Sequence, residues 1–262
     1  MAFKRLKDVT PLKSVEYNSN ESKQFLEFYN SQVEQKIAKD SEYVPSKSFA
    51  PSSIRCKRHQ WFRLRGTKPD AVTNPDVSLK FIADIGTHCH RRVQENLSEF
   101  LKDDWIDVEQ YLIENPPQYK YSVKKDGYET RIKVEDPPVK FSCDGLIKIN
   151  GVVYLLEIKT SEASSMRSLI APKPEHLDQI KCYCALLGIN DAMAMYIDRQ
   201  YGDVKCFTYH MSKTDVMQIV NVFEDVQLMV ERNMIPEALP YGDKWCSSSY
   251  CKYYRTCRKW GK

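Results

Sequence analysis

The sequence of 262 residues lacks any apolar run that approaches the roughly 20 residues needed to cross a membrane. Its basic N-terminus is not followed by the apolar segment of a secretory signal. These two absences predict an intracellular, cytoplasmic protein without a membrane partner. The sequence also lacks internal repeats and low-complexity tracts, so a repeat array is excluded and one large domain with appendages is favoured.

A strong excess of charge of one sign is absent as well, since the net charge is only +4. That value alone does not identify a nucleic-acid binder. However, residues 51–67 and residues 252–262 each carry five Arg or Lys and no acid, and the second segment also holds Tyr253, Tyr254 and Trp260. Basic groups neutralise phosphates and aromatic rings stack on unpaired bases, so the mixture predicts contacts with single-stranded DNA. The alternative is a solvated surface with half-buried rings.

Nine cysteines are many for an intracellular chain of this length. A reducing compartment argues against disulfides and leaves core residues, metal ligands or reactive thiols. Cys246, Cys251 and Cys257 lie close together, and Cys56 stands alone far upstream. Four thiolates can bind zinc or an iron–sulfur cluster, and the alternative is four structural thiols. The other five cysteines lie within predicted elements and are expected in the core: Cys89, Cys143, Cys182, Cys184 and Cys206.

Hydrophobic periodicity predicts helices over residues 21–39, 52–66, 78–101, 174–187 and 212–232, the second of them capped by Ser52 or Ser53. Runs of β-branched and aromatic residues predict strands over residues 118–125, 130–134, 139–149, 152–160, 192–198 and 204–210. Together they predict an α/β fold with a central mixed β-sheet flanked by helices. We expect residues 1–50 to be an N-terminal extension with one amphipathic helix, residues 51–240 the core, and residues 241–262 a Cys-rich segment joined to Cys56.

One predicted hairpin carries three charged residues at chemically informative positions. Asn150-Gly151 is typical of a two-residue type I′ turn, which fixes the strand register. Counting outward from this turn places Asp144 opposite Glu157, with Cβ atoms about 4.5–5.5 Å apart. Lys159 lies two residues further and projects from the same face. The register therefore predicts two facing carboxylates beside a lysine.

Facing carboxylates repel, and a divalent cation removes the conflict. Carboxylate oxygens suit Mg²⁺ or Mn²⁺. Lys159 beside them can position a water and balance charge at a phosphate, so the set fits metal-assisted phosphodiester hydrolysis. The alternative is an exposed hairpin with scattered charges. The apolar character of both strands argues against it, because unpaired charges are costly in a buried pair.

Asp144, twelve intervening residues and Glu157-Ile158-Lys159 resemble the signature of PD-(D/E)xK nucleases, with Cys143 where that family often has proline. Gly86-Thr87-His88-Cys89-His90 resembles the Gly-Thr-x-x-His element of RecB-type nucleases, in which the last histidine, here His90, binds metal; His88 falls outside the pattern. Gln179 and Tyr183 resemble the Gln-x-x-x-Tyr element of the same group and share one helix face. The elements cover roughly residues 52–260.

The resemblance implies a restriction-endonuclease-like fold and a Mg²⁺- or Mn²⁺-dependent deoxyribonuclease. The implied activity is exonuclease action on single-stranded ends in recombination, repair or CRISPR-type DNA processing, with a protein partner in that machinery and a phage origin as further options. His90, Asp144, Glu157 and the Ile158 carbonyl would hold metal, while Lys159, Gln179 and Tyr183 would assist. Five side chains are expected to contact DNA: Arg55, Arg58, Arg63, Tyr183 and Arg255.

The four separate cysteines, Cys56, Cys246, Cys251 and Cys257, are similar to those of the iron–sulfur branch of RecB-like nucleases. This branch includes CRISPR-adaptation exonucleases and the AddB nuclease domain. In that branch one upstream and three C-terminal cysteines hold a [4Fe–4S] cluster. The C-terminal spacing here is Cys-x4-Cys-x5-Cys, whereas the branch usually has Cys-x2-Cys-x5-Cys. The four cysteines could therefore bind structural Zn²⁺ instead of the cluster. The alternative function for the whole chain is a non-catalytic DNA-binding or scaffolding subunit.

Overall fold

The computed structural model describes residues 20–40, 45–70, 77–127, 129–240 and 242–259. The helices in these ranges are α1 Asn20–Asp40, α2 Lys57–Leu64, α3 Val77–Leu101, α4 Val108–Glu114, α5 Ala163–Ser168, α6 Pro174–Leu187, α7 Lys213–Glu231 and α8 Tyr254–Lys259. The strands are β1 Trp105–Ile106, β2 Tyr121–Asp126, β3 Glu129–Val134, β4 Val139–Cys143, β5 Gly145–Ile149, β6 Val152–Ser161, β7 Asp191–Asp198 and β8 Val204–His210. None of the helices in the described ranges combines the length and apolar character of a membrane span.

The strands form two sheets. The larger has the order β1-β5-β6-β7-β8, with β6 and β7 parallel and the other neighbours antiparallel. The smaller is an antiparallel sheet of order β2-β3-β4. The predicted α/β architecture, a mixed central sheet flanked by helices, is therefore confirmed.

The chain divides into two compact units, one formed by residues 1–42 and 72–81 and the other by residues 43–71 and 82–262. In the described part of the first unit, α1 is present as predicted, and its large apolar side chains are exposed: Phe25, Leu26, Phe28 and Tyr29. The second unit holds both sheets and the hydrophobic core. Phe49, which was assigned to the N-terminal extension, is fully buried in that core and bridges to Val139 of β4.

Side chains alternate across strand β6, and residues 155–158 in its middle are buried on both faces. Leu155 packs in the larger core cluster together with Ile180 of α6, whereas Leu156 and Ile158 pack in a second cluster with Val93 of α3. A strand covered by helices on both sides gives a rigid support for polar side chains. Glu157 and Lys159, which share the Leu155 face, are held on this support.

The Asn150-Gly151 turn has positive φ at both residues, and β5 pairs with β6 in the predicted register. However, the ladder ends at Gly145 opposite Leu156, one pair before Asp144. The predicted strand 139–149 is thus two strands, and at Asp144 the chain passes from the smaller sheet to the larger one. The physical reason is that side chains replace the ladder partners there: Gln94 of α3 donates to the Asp144 carbonyl at 2.7 Å.

Two further predictions are wrong. Residues 51–53 form a 3-10 turn, and α2 is capped by the Cys56 sulfur, which accepts from the His59 N–H at 3.4 Å, instead of by Ser52 or Ser53. Cys206 is exposed, because it lies on edge strand β8, whose exposed and half-buried residues alternate. Cys143, Cys182 and Cys184 are buried as predicted, and Cys89 packs partly buried against the second cluster.

The start of β5 leaves no space for a side chain at Gly145, where a Cβ would lie 2.5 Å from Trp105 Cη2 of β1. We expect Gly145→Ala to lower the free energy of unfolding by about 1–3 kcal/mol, because the ring must move. Urea denaturation measures the loss. In a Trp105→Leu background the same substitution has a smaller cost, and an equal cost in both backgrounds would contradict this contact.

Candidate active site

The side chains predicted to be catalytic or metal-binding line one pocket of about 410 Å³ in the second unit. Four structural elements supply them: α3, the β4–β5 junction, β6 and α6. The convergent residues are His90, Asp144, Glu157, Lys159, Gln179 and Tyr183. His88, which the sequence pattern left out, is exposed and does not line this pocket.

Asp144 is held from two sides. Its Oδ2 accepts the Ile158 N–H at 2.7 Å, and its Oδ1 lies 3.2 Å from His90 Nδ1. Burial alone would lower the pKa of His90, but the hydrogen bond to Asp144 and its negative charge raise this pKa above its ordinary value. The carboxylate is thereby oriented by one backbone donor and one imidazole.

Glu157 is only 2% exposed, and its Oε1 lies 2.5 Å from Lys159 Nζ. Burial raises the pKa of Glu157 to about 7, against the lowering effect of the Lys159 charge and with the help of the negative charge of Asp144. A buried carboxylate such as Glu157 can bind a cation, and its raised pKa also lets it accept a proton near neutral pH. Such perturbed groups are concentrated at functional sites.

Gln179 links the remaining side chains. Its amide nitrogen donates to Glu157 Oε1 at 3.0 Å and to the Tyr183 hydroxyl at 2.7 Å, while its oxygen accepts from Lys159 Nζ at 3.1 Å. Tyr183 stacks on Phe141 of β4 with ring centroids 4.5 Å apart, and burial raises its pKa well above the ordinary value. The phenol is therefore neutral and donates or accepts as a hydroxyl.

Contrary to the sequence prediction, Asp144 and Glu157 are not paired across a β-ladder. Asp144 lies outside the β5–β6 ladder, yet both carboxylates reach the same pocket. Within the described ranges, no three His, Cys, Asp or Glu side chains are arranged to hold one ion directly. The two buried carboxylates are oxygen donors of the kind that suit Mg²⁺ or Mn²⁺.

Residues that the sequence analysis missed complete the pocket. Gln94 supports Asp144 from one turn beyond His90 on α3, and that four-residue spacing was a readable signal. Gly86 brings α3 close to β6, since a Cβ there would lie 3.3 Å from the Thr160 hydroxyl. Arg199 also lines the pocket, but it follows β7 in a turn and no sequence pattern marks it.

A second cavity of about 430 Å³ shares Lys159 and Gln179 with the catalytic pocket. All four of the separate cysteines line it: Cys56, Cys246, Cys251 and Cys257. His59 Nδ1 lies 3.7 Å from the Cys251 sulfur, and the Asp70 carboxylate accepts from the backbone of Arg255 and Thr256 at the start of α8. The structure thus brings together thiols that lie far apart in the sequence.

Four of the five side chains predicted to contact DNA line a cavity or are exposed, and the fifth is buried. Arg55 and Arg63 line the thiol cavity, Tyr183 lines the catalytic pocket and Arg255 is exposed. The prediction for Arg58 is corrected: this side chain is buried, its Nε donates to the Pro236 carbonyl at 2.6 Å, and its guanidinium reaches the Cys257 sulfur at 3.6 Å. Trp260 lies outside the described residues.

The charge network predicts opposite effects of two substitutions. Asp144→Asn should lower the pKa of both His90 and Glu157, because the negative charge of Asp144 raises both. Lys159→Met should raise both, because the Lys159 charge lowers both. NMR titration of the metal-free variants measures the two groups. A shift of the same sign in the two variants would contradict the network.

No family model matches this sequence, and no curated protein matches it. Several solved structures are similar in architecture. The crystal structure of SSO0001 is 14% identical over 89% of this chain and 96% of that chain, with a TM-score of 0.47.

An alkaline exonuclease, LHK-Exo from Laribacter hongkongensis, is 15% identical over 72% of this chain and 90% of its own, with a TM-score of 0.37. Its complex with dAMP is 18% identical over 68% and 78%, with a TM-score of 0.39.

Proposed function

We propose that this protein is a metal-dependent DNA nuclease of the PD-(D/E)xK type. One observation carries the proposal: the residues of three separate sequence motifs converge on one pocket and bond to one another there. They lie on α3, at the β4–β5 junction and on β6, and on α6. A fold maintained only for binding has no use for two buried carboxylates beside a lysine, because burying them is costly.

The donor set fits one or two Mg²⁺ or Mn²⁺ ions. Asp144, Glu157 and His90 would hold the metal, with the Ile158 carbonyl as a further ligand. When bound, the metal supplies Lewis acidity at the phosphate and lowers the pKa of a bound water. The backbone N–H of Ile158 already fixes Asp144, so this ligand needs little reorganisation.

Lys159 is the group that would position the attacking water and balance charge on the phosphate. Its ammonium group bonds to Gln179 and Glu157, which limits its motion. Gln179 in turn fixes the Tyr183 hydroxyl at the wall of the pocket. Holding these groups in one geometry lowers the entropic cost of reaching the transition state.

Exonuclease action on single-stranded DNA ends is supported by the residues that stand beside the four cysteines in the thiol cavity, which adjoins the catalytic pocket. It offers aromatic rings from Trp245, Tyr250 and Tyr254 together with the cations Arg55 and Arg258. Rings and cations in one groove are the usual means of holding unpaired nucleotides. We propose recombination, repair or CRISPR-type DNA processing as the setting for this activity, with a protein partner in that machinery.

The activity test uses end-labelled single-stranded, duplex and circular DNA with Mn²⁺ or Mg²⁺. We expect cleavage of linear single strands, and a loss of about 100-fold or more in Asp144→Asn, Glu157→Gln and Lys159→Ala, because each removes a metal ligand or the positioned cation. Lys148→Ala, an exposed lysine of β5, is the matched control and should remain fully active.

Metal binding gives a readout that does not depend on turnover. Calorimetric titration with Mn²⁺ should show weaker binding in the two carboxylate variants and unchanged binding in Lys148→Ala. Wild-type protein that binds DNA and Mn²⁺ without any hydrolysis would overturn the nuclease proposal in favour of a non-catalytic subunit. Activity that survives in all three site variants would overturn the site assignment.

We also propose that the four clustered thiols hold a [4Fe–4S] cluster, with structural Zn²⁺ as the alternative. The donor set fits, because four thiolates are the usual ligands of such a cluster. The Arg58 guanidinium next to the Cys257 sulfur can stabilise its negative charge, and the neutral His59 ring can donate to the Cys251 sulfur through Nδ1. The Asp70 contacts at the start of α8 keep Cys257 in place.

Anaerobically purified protein should absorb near ~400 nm and contain iron and acid-labile sulfide. Cys56→Ser and Cys251→Ser should lose both, whereas Cys206→Ser, at the exposed thiol of β8, should retain them. Protein with zinc and without iron would replace the cluster by the alternative. Protein that retains its metal in all three variants would contradict the four-thiol site.

A further inference from the structure

The outward face of the smaller sheet is a basic surface that no sequence motif marks. Because side chains alternate, one face of β2, β3 and β4 buries apolar residues such as Ile132. The other face is exposed and presents four cations, Lys124, Arg131, Lys133 and Lys140. We call these four residues the basic sheet face.

The register of the basic sheet face places like charges in direct opposition. Lys124 pairs with Arg131 across β2 and β3, and Lys133 pairs with Lys140 across β3 and β4. Like charges directly opposite each other destabilise a strand pair. In the part of the chain that the structure describes, Lys124, Lys133 and Lys140 form no ion pair with an acid. Lys125, which points away from this face, pairs with Asp107.

The basic sheet face leads to the catalytic pocket. Among the described residues, the shallow depression on it is lined by no acid. Ser142 at its edge and Glu129, two residues before Arg131 on the same face, both line the catalytic pocket. Ser142 is two residues before Asp144, so the cations of β3 and β4 extend away from the carboxylates along the same strands. A polyanion bound on this face would therefore be continuous with the site of hydrolysis.

The lining also indicates which form of DNA fits. Among the described residues of this lining, the one aromatic ring is Phe141, which is buried against Tyr183 and is not available for stacking on a base. Cations without stacking rings contact phosphates alone, which is how proteins hold the backbone of a duplex. The cavity of Trp245 and Tyr250 on the other side of Lys159 has the rings that unpaired bases require.

We infer that the basic sheet face binds the phosphate backbone of duplex DNA, so that a duplex arm lies on β2–β4 while its single-stranded end enters the catalytic pocket. The inference rests on the proposed nuclease function and deepens it: the substrate class is a duplex with a single-stranded tail. The phosphates relieve the repulsion between the paired cations, and their contacts release counterions from the DNA.

The test measures binding in EDTA, where the metal-dependent reaction is suppressed. Fluorescence anisotropy is recorded with a tailed duplex and with a single strand of the tail sequence, over a salt series. The variant Lys124→Gln/Lys133→Gln/Lys140→Gln is compared with Lys102→Gln/Lys148→Gln/Lys213→Gln, which removes the same charge from exposed lysines outside the face. We expect the first variant to bind the tailed duplex more weakly, with a salt slope lower by about 3.

The same variant should bind the single strand as the wild type does, and the control variant should keep the wild-type slope for both ligands. An unchanged slope for the tailed duplex, an equal reduction in the control variant, or an equal loss of single-strand binding would each overturn the inference. Thermal unfolding checks folding, and the first variant should be no less stable than the wild type, because its like-charge pairs are gone.

Failure of this inference is separable from failure of the nuclease proposal. With Mn²⁺ and a short single-stranded oligonucleotide, the first variant should cleave at the wild-type rate, since this substrate does not reach the sheet face. Absence of cleavage in wild-type protein counts against the nuclease alone, whereas the anisotropy measurement decides on the sheet face without any turnover.

Discussion

The structure depends on one interaction, the hydrogen bond from the Ile158 N–H to the Asp144 carboxylate. At this point the chain leaves the smaller sheet and enters the larger, so no neighbouring strand is paired with Asp144. The side chain takes over as acceptor and ties the junction to β6. Since an unpaired buried N–H would be costly, the junction and the position of the carboxylate stabilise each other. The two sheets, His90 and the pocket are arranged around this bond.

The buried carboxylates of Glu157 and Asp144 are tolerated because each has hydrogen-bonding or charged partners. Glu157 lies on a strand covered on both faces, where an isolated carboxylate would be strongly unfavourable. Lys159 and Gln179 bond to it, while His90 bonds to Asp144. These five groups come from three sequence motifs, and the network joins the motifs to one another. The network holds two negative groups near each other before any ligand arrives.

Local chemistry made much of this site predictable. The β5–β6 register follows from Asn150-Gly151, and α6 begins at Pro174 and ends before Gly188, which has positive φ. What depended on tertiary contacts was not predictable. The end of β4 is set by Gln94, fifty residues away. Strand β1 and helices α4, α5 and α8 are too short to show periodicity. Burial explains Arg58 and an edge position explains Cys206, and neither property is visible in residue type.

Because the Cys56 sulfur caps α2, the stability of the fold depends on the chemical state of that sulfur. The sulfur of Cys56 accepts a hydrogen bond from one of the otherwise unpaired N–H groups at the start of α2, and this helix also supplies Trp61 and Phe62 to the core. Any change at that atom, such as oxidation, alkylation or ligation, alters the start of the helix as well as the thiol cluster. The folding equilibrium and the sulfur chemistry are thus thermodynamically linked. The melting temperature becomes an indirect gauge of whether one thiol is intact.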